Sequence, residues 1–255
     1  MTLAAGQGGR LATALLVSVV AAAPMQSPPA AAASTPLAAS IVLNYSFDSD
    51  APDVVRDSSP NALNGTLVNA APNLAYVTSV PGRGKALRLI GAQRQFIAVP
   101  EHAAIDVDRF TLTALVRYTG VENDHTNGRW EVLEKSGAYW MNLRADGRVR
   151  AGGFFGACAV QPAWRYIDST RIIPINTWTH IAATYDGSRL SVWVNGLWAG
   201  TLAVGGVTCV NDNPLAIGAK RALDGTTEAF YDGRLDDVRI YRKALSSAAI
   251  RALVP

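Results

Sequence analysis

The sequence predicts a single all-β domain, a sandwich or barrel that runs from about residue 41 to residue 255. The chain carries short strand-like runs separated by turn signals, which is the pattern typical of these folds. Its best-defined stretch, residues 176–202, holds three such runs separated by two glycine turns. Only residues 246–253 favour a helix, and the alternation of strands and helices that marks an α/β fold is missing.

The stretch 176–202 predicts a three-stranded antiparallel meander. Asp186-Gly187 supplies the first tight turn, because glycine accepts the positive φ that such turns need. Asn195-Gly196 is the strongest short hairpin signal that a sequence offers. Leu190, Val192 and Val194 alternate with Ser191 and Trp193, so we expect one face of this strand to lie in the core.

The remaining strands follow from the same alternation of apolar and polar residues. We expect residues 86–90 and 95–99 to pair as a hairpin around Gly91. Residues 155–173 are expected to form a long connection, and Ser246 is expected to cap the single helix. The other predicted strands cover 41–47, 63–68, 110–119, 130–135, 139–144, 148–154, 215–219 and 234–241.

The first 39 residues have a different composition from the rest. Arg10 is their only charged side chain, and it precedes an apolar run, 11–23, that is too short to span a bilayer. This pattern predicts a signal peptide followed by a Pro/Ala-rich spacer over 1–39, and hence a secreted protein with no membrane span in the mature chain. Cleavage after Ala23 and cleavage after Ala33 both stay open, and a membrane anchor is the alternative reading.

Charge and cysteine content narrow the functional classes. The net charge is +3, and the 23 Lys and Arg residues form no long basic run, so binding to nucleic acid is not indicated.

Cys158 and Cys209 both lie in predicted loops. In an exported protein an even pair of cysteines favours one disulfide, with two unpaired thiols as the alternative.

Several motifs follow one another along the predicted domain: "LNYSFD", "VRDSSPNALNGTLV", "FTLTALVRYT", "NTWTHIAATYDG", "LSVWVNG" and "YDGRLDDVRIYRKALSSAAI". In this order they resemble the laminin-G-like, concanavalin A-like lectin/glucanase superfamily. The resemblance implies a two-sheet antiparallel jelly-roll sandwich, here with a short C-terminal helix. The superfamily contains binding modules, adhesion modules, glycan hydrolases and polysaccharide lyases, so the fold does not choose among these functions.

The resemblance also implies a structural calcium ion, which many relatives hold near an N-terminal Phe-Asp and a C-terminal Asp-Asp-Val-Arg strand. In this sequence the match transfers to Asp48, Asp236 and Asp237. By the two-residue period of a strand, Asp236 is expected to point inward, where a buried carboxylate needs a partner such as a hard cation. Backbone amides or an arginine such as Arg88 are the alternative partners.

Glu131 and Glu134 are the carboxylate pair to consider for catalysis, because glycan hydrolysis needs two carboxyl groups that flank the substrate. Related glucanases carry a Glu-x-Asp-x-x-Glu type motif, and the middle aspartate is absent here. A separation of three residues along one strand is expected to place the two side chains on opposite faces. The sequence therefore predicts no catalytic residues, and it favours solvated glutamates paired with Arg129 or Lys135.

Aromatic residues outside the core pattern are the candidates for ligand binding, because sugar rings stack on the flat rings of Trp and Tyr. Trp140, Trp164 and Tyr166 lie in or near predicted loops, and His125 lies in the polar loop 121–129. Packing between the sheets is the alternative role for the tryptophans.

These patterns favour a secreted, non-catalytic binding domain that recognises a glycan or an extracellular protein, with calcium as its one expected cofactor. A glycan-cleaving enzyme of the same superfamily and a structural or adhesion module are the alternatives.

Overall fold

The computed structural model describes residues 37–48, 54–70, 75–121, 128–156, 163–222 and 224–255, together with Thr2. The α-helices are α1 (Leu37–Ser40) and α2 (Ser247–Ala252). The strands are β1 (Ile41–Tyr45), β2 (Val54–Val55), β3 (Gly65–Val68), β4 (Tyr76–Thr78), β5 (Lys85–Leu89), β6 (Phe96–Val99), β7 (Phe110–Tyr118), β8 (Arg129–Lys135), β9 (Tyr139–Arg144), β10 (Arg148–Phe155), β11 (Ala163–Ile172), β12 (Thr179–Tyr185), β13 (Arg189–Val194), β14 (Leu197–Ala203), β15 (Leu215–Ile217), β16 (Lys220–Arg221), β17 (Thr227–Glu228) and β18 (Gly233–Tyr241).

Sixteen of these strands form two antiparallel sheets of eight strands each. The first sheet has the order β14-β13-β12-β7-β18-β5-β4, with β1 also paired to β18. The second sheet has the order β11-β10-β9-β8-β15-β6-β3-β2. Strands β16 and β17 form a separate two-stranded ribbon beside β8. The predicted two-sheet jelly-roll architecture is therefore confirmed.

One apolar core lies between the two sheets. The first sheet contributes Leu112 and Val116 from β7, and the second contributes Val132 from β8 and Met141 from β9. Each of these side chains is fully buried, and the alternate residues of the same strands face away from the core. Each sheet therefore has an outer face, and parts of these faces pack in smaller apolar clusters, such as Ala182 with Ile250 and Ala216 with Phe230.

Both predicted meanders are confirmed. Strands β12, β13 and β14 pair consecutively, and so do β8, β9 and β10. Asn195 and Gly196 both have positive φ, as the hairpin signal requires. The Ser246 side chain accepts a hydrogen bond from the Ala249 amide, so the predicted N-cap of α2 is also present.

Two local predictions were wrong. The runs predicted as a hairpin around Gly91 belong to different sheets, because β5 pairs with β18 and β4 whereas β6 pairs with β15 and β3. The connection predicted over residues 155–173 contains the ten-residue edge strand β11. This strand places Trp164 and Tyr166 beside β10, where both matter for the candidate site.

Candidate functional site

A cleft of about 360 Å³ lies on the outer face of the second sheet, across β8 to β11. Its lining alternates with the core residues of the same strands, so the sheet itself fixes the position of each side chain. The lining residues are Arg129, Glu131, Glu134, Trp140, Asn142, Arg144, Arg150, Phe154, Trp164 and Lys220.

Three rings of this face form a row that ends in solvent. The Trp140 and Trp164 ring centroids lie 5.8 Å apart, and those of Trp164 and Tyr166 lie 5.3 Å apart. Trp140 is buried, whereas Trp164 is 54% exposed and Tyr166 is 40% exposed. Phe154 supports the buried end of the row with its centroid 5.8 Å from that of Trp140. The structure thus brings together all three aromatic residues that the sequence marked as ligand-binding candidates.

Arg150 holds the outer end of the aromatic row in place. Its Nε and Nη2 atoms donate to the two carboxylate oxygens of Asp168 at 2.6 and 2.7 Å. Its Cζ atom lies 3.9 Å from the centroid of the Tyr166 ring, which is a cation–π contact. The hydrogen bond to Arg150 lowers the pKa of Asp168, so this pair stays ionised at neutral pH.

Glu131 and Glu134 line the same cleft, contrary to the expectation that they point to opposite faces. A β-bulge between Glu131 and Leu133 adds one residue to β8 relative to β9. Glu131 therefore lies opposite Asn142, and Glu134 lies opposite Trp140, two residues away on β9. Since Asn142 and Trp140 share one face, the two glutamates share it as well.

The floor of the cleft contains buried polar atoms without hydrogen-bond partners. Glu131 and Asn142 are 1% and 3% exposed, and the Asn142 Nδ2 atom donates to Glu131 Oε2 at 3.1 Å. Within the described part of the chain, Glu131 Oε1, Asn142 Oδ1 and Arg129 Nε accept or donate no hydrogen bond. Because an unsatisfied buried polar group costs free energy, such atoms at the base of a cleft point to a polar ligand.

Burial raises the pKa of both glutamates. Desolvation raises the pKa of Glu131 well above its usual range, and the nearby Glu134 carboxylate raises it further. Desolvation also raises the pKa of Glu134 to about 7, although Lys220 and Arg129 oppose this shift. Close to neutral pH, Glu134 therefore exchanges between a hydrogen-bond donor and a carboxylate.

A cationic rim faces the glutamates from β8 and the β16–β17 ribbon. Lys220 Nζ and Arg129 Nη2 both contact Glu228 Oε1, at 2.8 and 2.9 Å. The Arg129 Nε atom lies 3.8 Å from Glu131 Oε2. This network fixes the charged side of the cleft opposite its aromatic side, so a ligand would meet a flat apolar surface and a polar wall at once.

Two of the residues predicted to bind calcium, Asp236 and Asp237, lie in the middle of β18, and the third, Asp48, follows β1. The Asp236 side chain accepts hydrogen bonds from the Ser79 hydroxyl and from the Asp237 amide. Burial, with some repulsion from Asp237 and Asp48, raises the pKa of Asp236 to about 7. Asp236 is buried, but the inward orientation predicted for it was wrong, because a bulge between Asp236 and Arg239 places it on the face opposite Leu235 and Ile240 of the core. Its partners include a backbone amide, as the alternative reading expected.

The three aspartates as a set do not fit a calcium cage. Asp237 is held by Arg83 Nη1 and Arg239 Nη2, each at 2.5 Å, so its charge is already compensated. Asp48 accepts a hydrogen bond from the Lys85 amide at 2.8 Å. The described ranges contain no group of three or more His, Cys, Asp or Glu side chains placed to hold a metal ion. Calcium at this site stays a prediction.

Two other predicted residues cannot be placed. His125 and Cys158 lie outside the described residues, so the proposed ligand contact and the pairing of Cys158 with Cys209 stay predictions. Cys209 is buried, and no free cysteine occurs in the part of the chain that the structure covers. None of the helices described there is long and apolar enough to cross a membrane.

The sequence did not identify Asn142, Arg150, Asp168 or Lys220 as part of the site. The first three alternate with core residues on adjacent strands, so strand parity alone signals that they face outward. Nothing in the sequence signals that β16 and β17 bring Lys220 to the same cleft.

A family model described as the concanavalin A-like lectin/glucanases superfamily matches residues 91–251. The comparison with curated proteins gave no match.

Among solved structures, the chain is similar to domain 4 of AbnA, a GH43 extracellular arabinanase from Geobacillus stearothermophilus, in complex with arabinotriose. The TM-score is 0.60 at 20% identity, over 85% of this chain and 98% of that domain. The binding domain of Paraclostridial Mosquitocidal Protein 1 matches with a TM-score of 0.62 at 17% identity, over 85% and 52% of the two chains. The binding domain of botulinum neurotoxin DC in complex with rat synaptotagmin II matches with a TM-score of 0.57 at 11% identity, over 85% and 51%. The chain spans about half the length of both toxin domains, and at these identities the likeness concerns the fold alone.

Proposed function

Because this chain belongs to the concanavalin A-like lectin/glucanase superfamily, we propose that it is a non-catalytic binding domain that holds a saccharide in the cleft across β8 to β11. The observation that carries the proposal is the row of Trp140, Trp164 and Tyr166 beside a floor of unpartnered polar atoms. The arabinanase domain, which was solved with arabinotriose, gives the fold a saccharide-binding precedent.

The two sides of the cleft suit the two kinds of surface on a sugar. A pyranose or furanose ring presents C–H groups on its faces, and these pack against the exposed ring of Trp164. Its hydroxyl groups both donate and accept, so they can satisfy Glu131 Oε1, Asn142 Oδ1 and Arg129 Nε together. A cleft of about 360 Å³ holds a short segment of one to two sugar units.

A glycan array followed by calorimetry tests this function. We expect the purified domain to bind one group of oligosaccharides, and Trp164→Ala to abolish that binding without unfolding the protein. Absence of binding to every glycan on the array, together with absence of turnover, would favour a structural or adhesion module instead. The match to a toxin domain solved with a protein partner makes an extracellular protein the next partner to try.

A glycan-cleaving enzyme is the second candidate, and the shared orientation of Glu131 and Glu134 favours it. Glycosidases use one carboxylic acid to protonate the leaving group and one carboxylate on the other side of the bond. Glu134, with its pKa raised to about 7, has the properties of a general acid. However, burial also raises the pKa of Glu131, which opposes its role as a carboxylate nucleophile or base.

Product analysis separates the two candidates. Release of reducing sugar or of unsaturated product from any bound polysaccharide, lost in both Glu131→Gln and Glu134→Gln, would establish the enzyme. Under the binding proposal these variants change affinity, and the ligand is recovered intact after long incubation.

Export of the mature domain is part of the proposal, and the pattern of residues 1–39 supports it. Expression of the full chain in a secreting host tests it. We expect the protein in the medium to begin after Ala23 or Ala33, and retention of the uncleaved chain in the membrane fraction would contradict export.

A further inference from the structure

Three arginines lie side by side on the outer face of the first sheet. Arg234 of β18 is the cross-strand partner of Arg88 on β5 and of Arg117 on β7. Their strand neighbours Leu235 and Val116 are buried in the core, so the three guanidinium groups extend from the opposite face. We call these residues the arginine row.

The arginine row lacks the carboxylate partners that neutralise other described arginines of this protein, such as Arg83. Like charges on directly opposite residues destabilise a sheet. In the described ranges, none of the three guanidinium groups lies within 4.0 Å of a carboxylate oxygen, unlike Arg83, which contacts Asp237. Arg117 Nε donates to the Asn176 carbonyl at 2.8 Å, and most other N–H donors of the row have no acceptor in the described protein.

The row also lines a concave surface. A cleft of about 230 Å³ is formed by the row together with Leu89, Ile90, Thr119, Asn176, Asp232 and Gly233. Asp232 is the one carboxylate in that lining, and both of its oxygens are engaged. Its Oδ2 accepts from the Gly91 amide at 2.9 Å and its Oδ1 from the Thr119 hydroxyl at 2.6 Å. The cleft therefore has an excess of positive charge that internal contacts leave uncompensated.

We propose that the arginine row binds a tetrahedral oxyanion, a sulfate or phosphate group. Planar guanidinium groups bind such oxygens through paired charge-assisted hydrogen bonds, and three groups spaced by the strand separation of about 4.8 Å can converge on one anion. A bound anion would also relieve the repulsion within the row. The site lies on the opposite outer face from the aromatic cleft, so it does not depend on the function proposed for that cleft.

Thermal melting with sulfate, phosphate and chloride at equal ionic strength tests the proposal. We expect sulfate or phosphate to raise the melting temperature of the wild-type protein beyond chloride. Calorimetry should give a Kd that rises at least about tenfold in Arg234→Gln, since one arginine–oxyanion contact is lost. Arg189→Gln, which removes an exposed arginine of β13 outside this cleft, should retain wild-type anion binding.

A second readout separates anion binding from a structural role. Without added anion, Arg234→Gln should melt at the wild-type temperature or above it, because the variant removes like-charge repulsion. An equal response of the wild-type protein to sulfate, phosphate and chloride would overturn the proposal, and so would full anion binding by Arg234→Gln.

A sulfated or phosphorylated sugar that binds more tightly than the inorganic ion would identify an ester group as the ligand, and equal affinity would identify the free anion. The Trp164→Ala variant should keep this response, so failure of the saccharide proposal is distinguishable from failure of this one.

Discussion

Trp140 lies directly over Gly152 on the neighbouring strand. A Cβ atom on residue 152 would overlap the indole ring and would come within 2.8 Å of the Arg165 carbonyl oxygen. The two residues are cross-strand partners, so glycine is what allows the ring to lie flat against the sheet. The buried end of the aromatic row therefore depends on a residue with no side chain.

Gly152→Ala should displace Trp140 and damage the cleft. We expect the free energy of unfolding to fall by about 1–3 kcal/mol, because overpacking forces neighbours from their preferred positions. Chemical denaturation and saccharide titration measure both effects. Gly205→Ala is the matched control, since a Cβ there meets no atom within 4 Å. Unchanged saccharide affinity in Gly152→Ala would contradict the role of Trp140.

Trp164→Ala should remove saccharide binding and leave stability nearly unchanged. The ring is 54% exposed, so few core contacts are lost, whereas a stacking platform for the ligand disappears. We expect affinity to fall by about thirtyfold or more, the effect of losing about 2 kcal/mol at a binding hot spot. Trp198→Ala is the control, because Trp198 is equally exposed but lies on β14 outside the cleft. Equal affinities of the two variants would exclude the cleft as the binding site.

The buried Glu134 should make stability fall as pH rises. Its folded-state pKa of about 7 lies above the ordinary value of 4.5, so the folded protein holds an extra proton between these two pH values. Because the folded state binds more protons in this range, Glu134 contributes to the free energy of unfolding fully below pH 4.5, and this contribution is lost as the pH rises toward 7. Denaturation of the wild type and of Glu134→Gln across this range checks the sign. The free energy of unfolding of Glu134→Gln minus that of the wild type should increase with pH. A constant difference would contradict the raised pKa of Glu134.

Lys135→Met should be strongly destabilising, because Lys135 is a fully buried cation. Its Nζ atom donates to the carbonyl oxygens of Asn211 and Asn213 at 2.7 Å and lies 3.1 Å from Asp106 Oδ1. Removing the ammonium leaves these acceptors buried without it, at a cost of about 3–5 kcal/mol. Thermal melting should show a much smaller loss for Lys220→Met, whose pair with Glu228 is partly exposed. Similar losses in the two variants would contradict this reasoning.

Calcium binding and the arginine contacts of Asp237 make different predictions for melting with chelator. The calcium prediction requires the wild-type melting temperature to fall on chelation and to recover with added calcium. Asp237→Asn should lower the free energy of unfolding by about 1.5–3 kcal/mol with or without calcium, because it weakens charge-assisted hydrogen bonds from Arg83 and Arg239. A wild-type melting temperature that ignores both treatments would remove the calcium prediction.

The parts of the fold that the sequence predicted well are those in which local signals and tertiary structure agree. The turn at Asn195-Gly196 fixes its own hairpin, because only residues tolerant of positive φ adopt it. The turn signal at Gly91 does not distinguish a hairpin from a crossing between sheets, since that choice depends on distant partners such as β18 and β15. Strand β11 escaped prediction because its charged and aromatic residues lack the apolar alternation of a core strand.

In the candidate site, too, the sequence predicted the residues with a local signal but not the contacts that depend on tertiary structure. Trp140, Trp164 and Tyr166 were identifiable because aromatic residues outside the core pattern call for an explanation. Their convergence required the register of β9 to β11, which no local signal specifies. The unpartnered atoms of Glu131 and Asn142 became visible only once burial and hydrogen bonds were known.

The bulge in β8 shifts by one residue the alternation of side chains between the two faces of the sheet. On a regular strand, side chains an odd number of residues apart never meet, so a search that assumes regular strands discards the spacing Glu-x-x-Glu. In this protein the extra residue makes that spacing equivalent to a separation of two. Removing Val132 should therefore leave both glutamates on the same face, now two residues apart on a regular strand, and carboxylate pairs at odd spacing in other sandwich proteins merit inspection for the same inserted residue.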